Sequence, residues 1–143
     1  EVDEVLFYDY KAFRYAEIIA EGTNATDAVN VSQLNKVKSS ITNNTQAISN
    51  NTRAINNLNK KVNDVDRKSR AGIAGVAAIA SAPSARKDGK SMISTGVAHH
   101  RGESAIAIKA SRNSDNGHWS SNVNGAADTR GQWTVGAGVG YEW

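Results

Sequence analysis

The chain has 143 residues, only 39% of them hydrophobic, with one proline and no cysteine, and its mean hydropathy is −0.50. The net charge is +3, and the one basic cluster, at Arg67, Lys68 and Arg70, is small; we therefore expect no nucleic-acid partner. The lack of cysteine excludes a disulfide framework and thiolate chemistry. This composition is typical of an elongated or oligomeric protein. Because the sequence starts at Glu1, we read it as a fragment of a longer chain.

The first 33 residues predict two segments. Residues 1–21 are rich in aromatic side chains with loose alternation, which favours strands; we assign them to the β-rich end of an upstream head or connector domain. Residues 22–33 open with Gly22 and contain Thr, Asn and Asp, which predicts a turn-rich connector. Asn30 or Ser32 is suited to cap a helix that follows.

Residues 34–70 carry five heptads in one unbroken register and predict a coiled-coil stalk. Ile and Val at position a favour two strands, but polar layers leave a trimer open. The predicted coiled-coil core consists of Leu34, Val37, Ile41, Ile48, Ile55, Leu58, Val62 and Val65, and position d also holds Asn44 and Asn51.

Residues 71–90 begin with "AGIAGVAAIASA", which is too short for the roughly 20 residues of a membrane-spanning helix. The heptad register continues weakly through Gly72, Val76 and Ile79 and stops at Pro83. We predict a helix followed by a linker over residues 71–90.

Residues 91–143 predict four strands: "SMISTGVAHH", "ESAIAIKAS", "HWSSNVNGAA" and "GQWTVGAGVGYEW". Asn116–Gly117 is the best hairpin signal in the chain. The last strand alternates between an apolar face and a glycine-rich face. The candidate membrane-interface aromatics are Trp119, Trp133, Tyr141 and Trp143.

Two structures are compatible with these strands. The first is a small soluble antiparallel sheet; the second is a membrane barrel, whose strands have about 9–11 residues and aromatic girdles. Four strands cannot close a barrel alone, since the smallest have about eight and open edges are not tolerated in lipid. The strands would therefore close with copies of the chain, two copies giving eight strands and three giving twelve. Parallel helices entering such a barrel together must carry small residues.

Three stretches resemble the trimeric autotransporter adhesins (the YadA-like family). "GTNATDAVNVSQL", residues 22–34, is similar to that family's neck. The Ile–Asn heptads look like its stalk, and "AGIAGVAAIASAP", "GKSM", "SDNG" and "GVGYEW" look like its membrane anchor. The resemblance covers residues 22–143.

The resemblance implies a parallel trimeric coiled-coil stalk followed by a 12-stranded transmembrane β-barrel, four strands per chain, with helices in the lumen. The domains would be a neck at 22–33, the stalk at 34–70, a lumen helix and linker at 71–90, and a barrel segment at 91–143. It also implies a homotrimer in outer-membrane lipid at the surface of a Gram-negative bacterium. The barrel would translocate its own adhesive passenger, the barrel-assembly machinery would read Trp143, and a missing head would bind a host or surface ligand.

Within that interpretation, Asn44 and Asn51 form axial layers that fix the register of the stalk, and the resemblance implies a chloride or similar anion there. Gly136, Gly138 and Gly140 are predicted to face the lumen. The three histidines do not suggest a metal site, since His99 and His100 are adjacent on a strand and point to opposite faces. We predict no enzymatic activity and no other cofactor. The alternatives are a soluble trimeric fibre with a β-rich tip and an outer-membrane enzyme or pore.

Overall fold

The computed structural model describes residues 18–143, so the predicted strands of residues 1–17 lie outside the described residues. The described chain consists of one long helix, α1 (Val31–Ser81), followed by four strands. These are β1 (Ser91–His100), β2 (Glu103–Asn113), β3 (Trp119–Asp128) and β4 (Trp133–Tyr141). The chain divides into two compact units at Asn56 and Asn57, and each is described by itself.

In the first unit, the connector ends in a reciprocal cap at the start of α1. The side-chain oxygen of Asn30 accepts a bond from the backbone N–H of Gln33 (2.9 Å), and the Gln33 side chain accepts one from the N–H of Asn30 (3.1 Å). This is a capping box, which satisfies two donors that a helix start leaves unpaired. Of the two predicted caps, Asn30 is therefore the one used.

The same glutamine holds the connector in place. Gln33 accepts a bond from the N–H of Gly22 (3.0 Å) and donates one to its carbonyl (2.8 Å). Gly22 itself has no room for a side chain, since a Cβ there would lie 2.5 Å from the carbonyl oxygen of Ala28. The predicted turn-rich connector is thus a compact turn attached to the first turn of α1.

A carboxylate closes this turn from the other side. Asp27 accepts bonds from the backbone N–H groups of Thr23 (2.9 Å) and Asn24 (2.8 Å). The bond from Asn24, and after it the bond from Thr23, lowers the pKa of Asp27 from its ordinary value of 3.8. Both bonds act in this direction because they stabilise the charged form of the carboxyl group.

In the second unit, the strands form one antiparallel sheet in the order β1-β2-β3-β4. The predicted strands are confirmed with small shifts at their ends: β2 runs two residues further, and β4 ends at Tyr141, before Trp143. Tight turns join them, with Arg101 and Gly102 both at positive φ between β1 and β2, as a two-residue hairpin requires. Gly117, also at positive φ, lies in the predicted β2–β3 turn. Within residues 18–143, the outer edges of β1 and β4 have no neighbouring strand.

Candidate functional site: a sheet with an apolar outer face and a helix on its inner face

The last part of α1 lies against one face of the sheet, which we call the inner face. Its contact stripe consists of Ala71, Ala74, Gly75 and Ala78, all buried. The sheet meets it with equally small side chains, Ala105, Ala107 and Ala126. Residues three and four apart share one face of a helix, so a stripe of alanine and glycine brings the helix backbone close to the strands.

Gly96 in β1 marks the closest approach. A Cβ at this position would lie 2.1 Å from the backbone oxygen of Ala78 and 2.8 Å from the backbone nitrogen of Ala82. The position therefore excludes every residue with a side chain unless the helix moves. Gly96 is not among the predicted site residues, although a glycine inside a strand is a known sign of close backbone approach.

Polar side chains of the sheet fix the chain where α1 ends. Lys109, only 9% exposed, donates a bond from Nζ to the carbonyl of Ala82 (2.9 Å). Ser94 donates to the carbonyl of Pro83 (2.6 Å), and Ser111 accepts from the N–H of Ala85 (2.7 Å). A positive charge at this point interacts favourably with the negative end of the helix dipole. The hydrogen bond also gives a partner to one of the carbonyls that a helix end leaves unpaired.

Arg130 and Glu103 form an ion pair at the opposite end of the sheet. Oε1 of the buried Glu103 accepts bonds from Nε (3.0 Å) and Nη2 (2.8 Å) of Arg130, and its other oxygen accepts one from Thr129. Nearby, Arg70 of α1 donates to the carbonyl of Arg101 (2.5 Å). The helix is thus attached at both ends of the strands.

The other face of the sheet, the outer face, is apolar and uncovered. Its large side chains alternate with the inner-face residues along every strand and are more than half exposed: Ile93, Val97, Ile106, Ile108, Val123, Val135 and Val139. Such a continuous exposed apolar band marks a surface that is covered in the working protein.

Aromatic rings lie at both ends of this band. Trp119 and Tyr141 are register partners at one end, with ring centroids 5.0 Å apart, and Trp133 begins β4 at the other end. Trp143 follows β4 and is 98% exposed. This distribution resembles the interfacial girdles of membrane proteins.

Gly136, Gly138 and Gly140 alternate with the outer-face residues of β4, so they lie on the inner face. Their nearest cross-strand neighbours are Asn124, Asn122 and Ser120 of β3, respectively, and a Cβ at Gly138 or Gly140 would meet no atom of α1 within 4 Å. The three glycines thus lie on the inner face, with Gly138 and Gly140 away from the helix of their own chain. That this face lines a lumen stays a prediction.

The predicted coiled-coil core is a stripe of exposed apolar side chains on α1. In the first unit Leu34, Val37, Ile41 and Ile48 are between 45% and 65% exposed, and Asn44 and Asn51 are exposed with them. In the second unit the stripe continues and reaches Val76, which is 59% exposed. Ala71, Ala74 and Ala78 face the sheet, so up to Val76 the heptad stripe lies on a different side of the helix and is exposed. Ile79, the next position of the register, is partly buried against the core between helix and sheet.

Neither a metal cluster nor a spanning helix is present in the described part. Within residues 18–143, no group of three or more His, Asp or Glu side chains is placed to hold a metal. Nδ1 of His99 lies 2.8 Å from the Ser104 hydroxyl and Nδ1 of His118 lies 2.7 Å from the Glu142 carbonyl. Over the same residues, α1 contains no window long and apolar enough to cross a bilayer as a helix.

Two family models match the chain. Residues 19–69 match the coiled stalk of trimeric autotransporter adhesins, and residues 83–143 match the YadA-like membrane anchor domain. These boundaries separate the capped helix from the four-stranded sheet, as in the structure.

Curated relatives match most of the chain. Autotransporter adhesin NhhA of Neisseria meningitidis serogroup B is 34% identical over 125 residues, which are 87% of this chain and 18% of that protein. Autotransporter adhesin EhaG of Escherichia coli O157:H7 is 31% identical over 125 residues, 87% of this chain and 8% of that protein. Trimeric autotransporter adhesin AtaA of an Acinetobacter species is 36% identical over 74 residues, 52% of this chain and 2% of that protein.

The chain thus spans less than a fifth of the length of these relatives. Both family models and the relatives agree with the capped helix, the exposed heptads and the four-stranded sheet with an apolar outer face. The chain belongs to the YadA-like trimeric autotransporter adhesins, as a stalk fragment joined to its outer-membrane anchor.

Proposed function

We propose that three copies of this chain close one twelve-stranded barrel in the outer membrane, carry their helices through its lumen, and hold an adhesive passenger at the cell surface. The single observation that carries this proposal is the sheet of four spanning-length strands with two open edges and an apolar outer face. In lipid, every unpaired backbone group costs several kcal/mol, so these edges need partners.

The helix allows parallel copies to meet around a common axis. The heptad stripe lies free while the alanine stripe packs on the sheet, so copies can meet through their heptads with one sheet outside each helix. Three copies are favoured over two because the matching stalk family is trimeric. We therefore expect the chain to migrate as a trimer in detergent before boiling and as a monomer afterwards, whereas a soluble fibre would stay dispersed without detergent.

Burial of the outer face in lipid has its own test. Ile108 lies in the middle of β2 on the outer face, and Ser121 lies on the same face near the start of β3. A lysine at the bilayer midplane costs about 2–4 kcal/mol, while one near the interface costs about 0–1 kcal/mol. Ile108→Lys should therefore greatly reduce the stability of the inserted anchor, and Ser121→Lys should not. Equal effects of the two variants would contradict the membrane assignment.

Export of the passenger through the same barrel is the second part of the proposal. Gly138 is on the inner face and Gly125 is on the outer face, so Phe at the two positions forms a matched pair. Gly138→Phe should insert into the membrane but display less of an upstream surface tag than Gly125→Phe. Full display by Gly138→Phe would count against export through the lumen.

The partners of the whole protein belong to the same proposal. We expect the barrel-assembly machinery to recognise the exposed C-terminal Trp143, and the adhesive ligand, on a host or another surface, to bind a region upstream. We also expect an axial chloride at the Asn44 and Asn51 layers. We expect the chain to work by assembly and display and to have no enzymatic role.

A further inference from the structure

The backbone registers within the sheet limit the ways in which one copy can pair with the next. Within residues 18–143, β1 and β4 are the edges, and they have 10 and 9 residues. If copies close a barrel, as proposed above, β4 of one copy pairs antiparallel with β1 of the next. The three registers inside the chain then leave only this fourth register to be found.

The known registers define a path across the chain perpendicular to its strands. From Gly96 the path leads to Ala107, then to Ala126, and then to Thr134 in β4. The next residue on the path lies in β1 of the neighbouring copy. Its displacement from Gly96 along β1 is one third of the shear of a threefold barrel, and it is even because inner-face residues must pair with inner-face residues.

The strand tilt of a barrel selects the size of this displacement. With a rise of about 3.4 Å per residue and strands about 4.8 Å apart, shifts of two, four and six residues per chain give tilts of about 20°, 35° and 47°. Membrane barrels tilt by about 35–45°. A shift of four residues is therefore the best match, and six is the nearest rival.

Strand length selects the direction. A shift of four residues towards His100 places that residue opposite Thr134 and leaves about eight residue pairs between the two edges, close to the nine or ten pairs of the registers within the chain. A shift towards Met92 leaves about three pairs. Only the first direction satisfies the edge backbone groups along most of both strands.

We propose that Gly96 of one copy lies opposite Gly138 of its neighbour. On the inner face this register also pairs Ala98 with Gly136 and Ser94 with Gly140. On the outer face it pairs Thr95 with Val139. The junction thus joins β4 of one copy to β1 of the next through small inner-face residues on both strands.

The environment of Gly96 supports the pairing of β4 with β1 of the next copy, since a β4 glycine would lie opposite Gly96 for a shift of two, four or six residues. Gly96 is the position where α1 comes closest to its own β1, with no space for a Cβ. The junction places the glycine face of β4 beside that strand and that helix. This explains why β4 presents glycines to the inner face although no atom of its own helix lies near Gly138 or Gly140.

Cysteine cross-linking tests the register, because the natural chain has no cysteine. Directly opposite residues have Cβ atoms about 4.5–5.5 Å apart and diagonal ones about 7–8 Å, and only the first distance is near that of a disulfide. The full chain, inserted in the outer membrane and mildly oxidised, should form interchain disulfides with Thr95→Cys plus Val139→Cys. Thr95→Cys plus Ala137→Cys and Thr95→Cys plus Tyr141→Cys are the matched controls for shifts of two and six residues.

Each outcome has a distinct meaning. Most chains cross-linked through positions 95 and 139, with severalfold less for both controls, is the expected result. Preferential cross-linking of either control pair, or a heat-sensitive trimer without any of these disulfides, overturns the register while the trimeric anchor stands. A monomer without interchain disulfides in all three variants overturns the register and the proposed function together.

Discussion

Gly96→Ala is expected to weaken the contact between α1 and the sheet. The added Cβ would lie 2.1 Å from the oxygen of Ala78, about 1.3 Å short of the 3.4 Å at which ordinary contact begins. The obstructing atom belongs to the backbone and cannot rotate away. The last turn of the helix must therefore move off β1, and the buried contacts of Ala78 and Ala82 are loosened.

The magnitude follows from overpacking of a close-packed interior, which costs about 1–3 kcal/mol. We expect at least that loss per chain, because the helix also carries the Ala82 carbonyl that Lys109 binds. Unfolding of the detergent-solubilised anchor by denaturant, followed by tryptophan fluorescence, measures it.

Gly125→Ala is the matched control for this variant. A Cβ at Gly125 would have its nearest atoms at 3.7 Å and 3.8 Å, which is ordinary contact, so its unfolding midpoint should stay close to that of the parent. Equal midpoints for Gly96→Ala and Gly125→Ala would refute the close approach of the helix to β1.

Three further predictions concern the stalk and the connector. Asn44→Ile with Asn51→Ile should raise the melting temperature of an isolated stalk trimer, since an unsatisfied buried amide costs about 1–3 kcal/mol. The melting temperature of this variant should not depend on chloride. In the intact protein, surface display should slow. Gln33→Ala should lower the stability of the neck and stalk by about 1–2 kcal/mol through loss of the cap. Gln46→Ala, at an exposed heptad position, should leave that stability unchanged. Thermal melts of the neck and stalk compare the two variants. The lowered pKa of Asp27 means that its stabilisation is complete above the ordinary value of 3.8 and is lost as the pH falls through the lowered pKa. The protection of the connector amides against hydrogen exchange, relative to an unfolded chain at the same pH, should therefore fall in that acidic range. Asp27→Asn should remove this pH dependence of the protection.

The periodic features of this chain could be predicted from the sequence. A seven-residue repeat of Ile and Val specifies a helix with one apolar stripe whatever the surroundings, and alternation specifies which side of β4 each residue takes. Asn30 at the helix start and Asn116–Gly117 at a hairpin are local signals, and local hydrogen bonds suffice to explain them. For this reason the predicted helix and the four predicted strands agree with the structure.

Contacts between distant segments could not be predicted in this way. Gly96 and Ala78 are brought together by the packing of helix on sheet, and nothing near either residue in the sequence announces the other. The same holds for Lys109 on the Ala82 carbonyl and for Arg130 on Glu103. The sequence by itself determined the helix, the strands and their two faces, because these depend on neighbours a few residues away. Only the tertiary structure decided which positions have no space for a larger side chain and which polar side chains bind the end of the helix. Both depend on how closely the helix backbone approaches the strands.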